Sequence, residues 1–108
     1  MDMDTYQRWT ETTAVYPREG GLAEHYLMSA MTSELGEVAA LVKRKLRDGT
    51  AQDVFVDNMK KELGDVLWYL ARFADELGLS LGDIAQVNQD KLTKRQASNT
   101  LHGKGDER

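Results

Sequence analysis

The chain has 108 residues, a formal net charge of −4 and no cysteine, so we expect one domain with a modest core and neither disulfides nor thiolate metal sites. The acidic charge argues against nucleic acid as the main partner, because proteins that bind polyanions usually carry a basic excess. No apolar run approaches the roughly 20 residues that span a bilayer and the N-terminus is acidic, so we expect a cytoplasmic protein with no membrane association.

Two helices are predicted in the first half of the chain, separated by its single proline. The first covers about residues 4–13, with Asp4 as its N-cap. Residues 16–21, which include Pro17, follow as a loop. The second helix covers about residues 22–47. Its apolar residues recur at helical spacing and form one stripe: Leu27, Met31, Val38 and Leu41.

Two more helices are predicted in the second half. The third covers about residues 53–77 and stops at Gly78. The fourth has a capping-box-like start at Ser80 and reaches about Arg95, and a polar tail covers residues 96–108. No β pattern competes with these helices. The sequence therefore predicts a single all-α domain over residues 1–108, a helical bundle with two long central helices.

Two acidic pairs lie midway along the long helices. Glu34 and Glu37 form the first pair, and Glu62 and Asp65 form the second. The i, i+3 spacing puts each pair on one helix face, and Glu34 falls within the apolar stripe of its helix. Crowded carboxylates near a core need a compensating positive charge, and Mg²⁺ or Mn²⁺ suits carboxylate oxygens. The alternative is a solvated helix edge with salt bridges.

Each acidic pair encloses a glycine, Gly36 in the second helix and Gly64 in the third. Glycine inside a helix costs roughly 1 kcal/mol relative to alanine, so its presence there calls for a reason. We expect these two glycines to let the helix backbones approach closely where the acids converge.

Other polar and aromatic residues are candidates for substrate binding. Asn88 lies in the apolar stripe of the fourth helix, with Lys91 and Arg95 along its edge, an arrangement that suits phosphate contact. An ordinary amphipathic helix with snorkelling cations is the alternative. Trp68 and Tyr69 are candidates for stacking on a nucleobase, or else belong to the core.

Taken together, these motifs resemble the MazG-like members of the all-α nucleotide pyrophosphohydrolases. The similarity covers about residues 22–95, and the end of the tail, residues 102–108, also resembles that of small members. It rests on the order of the two acidic pairs, the segment 62–70 and the spacing of residues 88–95.

The resemblance implies a bundle completed by a partner subunit, as a homodimer or a dimer of dimers. It implies Mg²⁺-dependent hydrolysis of a nucleoside triphosphate between the α and β phosphates. The residues that it implies as metal ligands and catalytic residues are Glu34, Glu37, Glu62 and Asp65, and as phosphate contacts Lys91 and Arg95. Ser33 stands where many members have a further glutamate, so the general base is left unassigned. The alternative function is an inactive nucleotide-binding or protein-interaction module of the same fold.

Overall fold

The computed structural model describes residues 1–103, which contain four α-helices and no strand. The helices are α1 (Met3–Thr10), α2 (Leu22–Asp48), α3 (Gln52–Glu76) and α4 (Leu81–Ala97), with 3₁₀ turns at Glu11–Thr13 and Glu19–Gly21. The predicted all-α class with two long central helices is confirmed. None of the helices in the described part is long and apolar enough to cross a membrane. The last part of the predicted tail, residues 104–108, lies outside the described residues.

The two long helices pack against each other as a hairpin. Helix α2 ends at Gly49, whose φ of 68° is the left-handed conformation that glycine adopts without strain. Lys45 stabilises the turn, because its Nζ donates a hydrogen bond to the carbonyl of Thr50 and lies 4.9 Å from the centre of the Phe55 ring. The short connection between Asp48 and Gln52 makes α3 run antiparallel to α2. Residues in the middle of the two helices therefore lie side by side.

Helix α1 is attached to the start of α4 by polar contacts. The side-chain amide of Gln7 donates to the carbonyl of Leu79 at 2.8 Å, and its oxygen accepts from the Leu81 backbone at 2.7 Å. The carboxylate of Asp4 accepts from the backbone N–H of Gly82 at 2.9 Å. A small apolar cluster lies beneath these contacts: Ala71, Ala74 and Leu81, with Tyr6 and Ile84 packed against it.

The structure corrects the predicted start and end of the first helix. Asp2, and not Asp4, is the N-cap, since its carboxylate accepts from the backbone N–H of Thr5 at 2.8 Å. Asp4 instead binds α4, a tertiary partner that local sequence does not reveal. Regular α-helix stops at Thr10, and the rest of the predicted helix is the 3₁₀ turn. The predicted cap at Ser80 is confirmed by its 3.0 Å bond from the backbone of Asp83.

The expectation that glycines bring α2 and α3 of this chain together is wrong. A Cβ atom added at Gly36 or Gly64 meets no atom within 4 Å. Both glycines are exposed, so they lie on the outer surfaces of the hairpin and not at the helix contact. The mid-helix position did not indicate the face, because a residue two positions after an inward-facing acid such as Glu34 or Glu62 lies about 200° round the helix.

Candidate metal and nucleotide site

Three of the four predicted acids converge between the long helices. Glu34 from α2 and Glu62 and Asp65 from α3 each offer a carboxylate oxygen, and these oxygens all lie within 4.8 Å of one another. Glu34 and Glu62 are half-buried, and Asp65 is exposed. Glu37 lies outside this group and is exposed. We refer to Glu34, Glu62 and Asp65 as the acid cluster.

The electrostatics of the acid cluster favour a cation. Burial raises the pKa of Glu34, and the negative charges of Asp65, Glu62 and Glu37 raise it further. A divalent cation would remove this repulsion, and hard ions such as Mg²⁺ and Mn²⁺ bind carboxylate oxygens. The donor set and its charge therefore fit such an ion.

An aromatic cleft of about 360 Å³ adjoins the acid cluster. Its lining residues are Thr13, Glu34, Asp65, Trp68 and Tyr69. The indole Nε1 of Trp68 donates to the hydroxyl of Thr13 at 2.8 Å, and its ring meets that of Tyr69 edge-on, with centroids 5.0 Å apart. Both predicted aromatic residues thus lie beside the acids, in a space open to a planar ligand.

Arg72 holds the N-terminal segment against α3, and the sequence analysis did not identify it. Its side chain is completely buried and donates to carboxylates of Glu11 at 2.6 Å and Asp75 at 3.0 Å. It also donates to the hydroxyls of Thr10 at 3.2 Å and Tyr16 at 3.3 Å. This network fixes the segment that carries Thr13 into the cleft. No sequence signal marks it, since Arg72 lies outside the apolar stripe that Leu70 and Phe73 form at i, i+3 spacing.

The predicted phosphate contacts on α4 do not line the aromatic cleft. Asn88 and Lys91 border a separate groove of about 390 Å³, together with the apolar residues Leu79, Ile84 and Val87. Arg95 is buried, with 4% of its surface exposed. Within the described chain the structure therefore brings three of the acids and the two aromatic residues together, but not the residues of α4.

Comparison with known proteins identifies the family. The sequence model of the family described as the MazG nucleotide pyrophosphohydrolase domain matches residues 23–99 of the chain. The chain belongs to the MazG family. It is also 37% identical to the Gene 37 protein of Mycobacterium phage L5 over 116 aligned positions, which cover all of both chains. No solved structure matches it.

The MazG match covers one part of the candidate site and leaves out another. All three residues of the acid cluster lie within residues 23–99, as do Trp68 and Tyr69. Thr13, which binds Trp68, and the N-terminal partners of Arg72 precede the matched span. One wall of the cleft is therefore built by a segment outside the family domain.

Proposed function

We propose that this MazG-family protein hydrolyses a nucleoside or deoxynucleoside triphosphate between the α and β phosphates, to a nucleoside monophosphate and pyrophosphate, with Mg²⁺ or Mn²⁺ as cofactor. The observation that carries the proposal is the convergence of Glu34, Glu62 and Asp65 beside an aromatic cleft. Acids for a metal and rings for a base then lie at adjacent positions, as a nucleotide requires.

The residues of the site divide between holding the metal and orienting the substrate. Glu34, Glu62 and Asp65 would hold the ion. Mg²⁺, when bound, neutralises phosphate charge and supplies water activated for in-line attack. Trp68 and Tyr69 would orient the base, so that the α phosphate lies at the acid cluster.

Other predicted residues have less direct support. Glu37 adds to the negative charge that raises the pKa of Glu34, and its role as a further ligand stays a prediction. Asn88, Lys91 and Arg95 stay a prediction as phosphate contacts. Ser33 leaves the general base unassigned.

A pyrophosphate-release assay across the common NTPs and dNTPs tests the activity. We expect release with Mg²⁺ or Mn²⁺, and none in EDTA. Full turnover in metal-free buffer would contradict the proposed mechanism. Nucleotide binding without any release would favour the inactive binding module of the same fold.

We also propose that the subunit assembles as a homodimer or a dimer of dimers. Large apolar side chains on both long helices are between 37% and 82% exposed, among them Leu35, Leu46, Leu63 and Leu67. Burial of such surface provides the main driving force for association. Light scattering should give a mass at least twice the 12.2 kDa of the chain, and a monomer at micromolar concentration would contradict this.

A further inference from the structure

A second cleft, of about 350 Å³, lies between α2 and α3 near the turn of the hairpin. It differs from the aromatic cleft because two cations line it, Arg44 and Lys61. The other lining residues, apart from Glu62, are Leu41, Thr50, Phe55 and Asn58. Glu62 borders it as well, and Glu62 is also a member of the acid cluster. This space, which we call the hairpin cleft, therefore borders the candidate metal site at Glu62.

The order of residues along α3 matches the order of groups in a nucleotide. Asn58, Glu62, Asp65 and Tyr69 follow at spacings of four, three and four, which places them on one face of the helix. Lys61 precedes Asp65 by about 6 Å along the helix axis, at 1.5 Å per residue. One helix thus presents polar and cationic groups, then acids, then aromatic rings.

The cations of the hairpin cleft are held loosely enough to bind a ligand. Lys61 lies 3.6 Å from Asp57, but both side chains are about 70% exposed, and such pairs contribute little. Arg44 donates its Nε to the carbonyl of Ala40 at 3.2 Å, and a guanidinium carries further N–H donors. Lys45 contacts Thr50 and Phe55 at the turn, so a cation other than Arg44 and Lys61 holds these two lining residues.

We propose that the hairpin cleft binds the β and γ phosphates of the nucleotide, and so the pyrophosphate product, with Arg44 and Lys61 as its cationic contacts. This inference rests on the proposed function, because it takes the acid cluster as the position of the α phosphate and metal. The metal ion leaves part of the negative charge of the β and γ phosphates uncompensated. Arg44 and Lys61, on the side of the acid cluster away from the aromatic rings, would compensate this charge.

Calorimetric titration with inorganic pyrophosphate and Mg²⁺ tests this without knowledge of the base. The variants are Arg44→Gln, Lys61→Gln and the double variant. Lys43→Gln and Lys60→Gln are matched controls, since each removes one cation from an exposed neighbouring position outside the cleft. Lys91→Gln represents the rival phosphate site on α4. Melting temperatures establish that each variant is folded, and a nucleoside monophosphate serves as the second ligand.

We expect each cleft variant to weaken pyrophosphate binding about tenfold, as the loss of one charge-assisted contact implies, and the double variant to weaken it further. The controls should bind as the wild type does, and monophosphate affinity should not change. Undetectable pyrophosphate binding by the wild type, equal losses in the controls, or a loss confined to Lys91→Gln would overturn the inference. Turnover of the wild type is a separate readout: pyrophosphate binding that depends on the cleft, without any hydrolysis, would refute the proposed function alone.

Discussion

The indole N–H of Trp68 in α3 donates a 2.8 Å hydrogen bond to the hydroxyl of Thr13, 55 residues earlier in the chain. This bond joins a residue of the MazG domain to a segment that precedes the matched span. It holds the ring at the mouth of the aromatic cleft, where both residues form the lining. The N-terminal segment is therefore part of the proposed base site.

Loss of the Thr13 hydroxyl should weaken substrate binding more than folding. In Thr13→Val the Trp68 N–H loses its partner and the ring its orientation, so we expect KM for the preferred nucleotide to rise several-fold with kcat little changed. Stability should fall by about 1 kcal/mol, the usual contribution of one hydrogen bond. Thr12→Val is the control, because Thr12 is exposed and its hydroxyl bonds only to its own turn, at Trp9. Equal KM values in the two variants would count against a role for Thr13 in the aromatic cleft.

Replacement of Glu34 by glutamine should separate metal binding from stability. The pKa of Glu34 is raised by burial and by neighbouring acids, so neutralising it relieves repulsion, and the melting temperature without metal should stay level or rise. A ligand selective for the folded state adds about 2.7 kcal/mol at 100 times its Kd. Mg²⁺ should therefore stabilise the wild type and the exposed control Glu24→Gln by this amount, and it should stabilise Glu34→Gln less. Equal gains in all three proteins would show that Glu34 is not a ligand.

Arg72→Met should be among the most destabilising substitutions in the chain. Methionine fills the buried volume with an apolar side chain, but Asp75 loses its cation and Glu11 keeps only Arg18 as a partner. We expect the free energy of unfolding to fall by about 3 kcal/mol, toward the lower end for a broken buried pair because both carboxylates are half exposed. Urea unfolding measures this. Arg8→Met, at an exposed position on α1, should change the free energy of unfolding by less than about 0.5 kcal/mol. An equal loss of stability in both variants would contradict a special stabilising role for Arg72.

The contribution of Glu11 to stability should disappear in acid. The hydrogen bond from Arg18 lowers the pKa of Glu11 below its usual 4.5, and the charge of Arg72 lowers it further. A carboxyl group with a depressed folded-state pKa stabilises fully above its unfolded pKa and loses this effect as pH falls through the folded pKa. Unfolding free energies of wild type and Glu11→Gln should therefore differ by a constant amount above about pH 6 and converge below pH 4.5. A constant difference at all pH values would contradict this.

The sequence predicts the helices well because their signals are local. Apolar periodicity and the predicted stop at Gly78 are properties of neighbouring residues, and Gly78 has the positive φ that favours glycine. Periodicity also placed Glu34 on an inward face, where the structure has it half-buried. Partners across the fold leave no such signal. The roles of Asp4 and Arg72 depend on residues 78 and 61 positions away, and no helical pattern encodes those contacts.

The attachment of α1 through Gln7 and Asp4 has a consequence for synthesis. Their partners at residues 79–82 are translated after the whole of the α2–α3 hairpin. The hairpin already carries Trp68 and Arg72, which hold the segment of Thr13. A translation product interrupted before α4 would therefore keep the residues of the proposed metal site and of the Thr13 wall, but α1 would lose the contacts that Gln7 and Asp4 make.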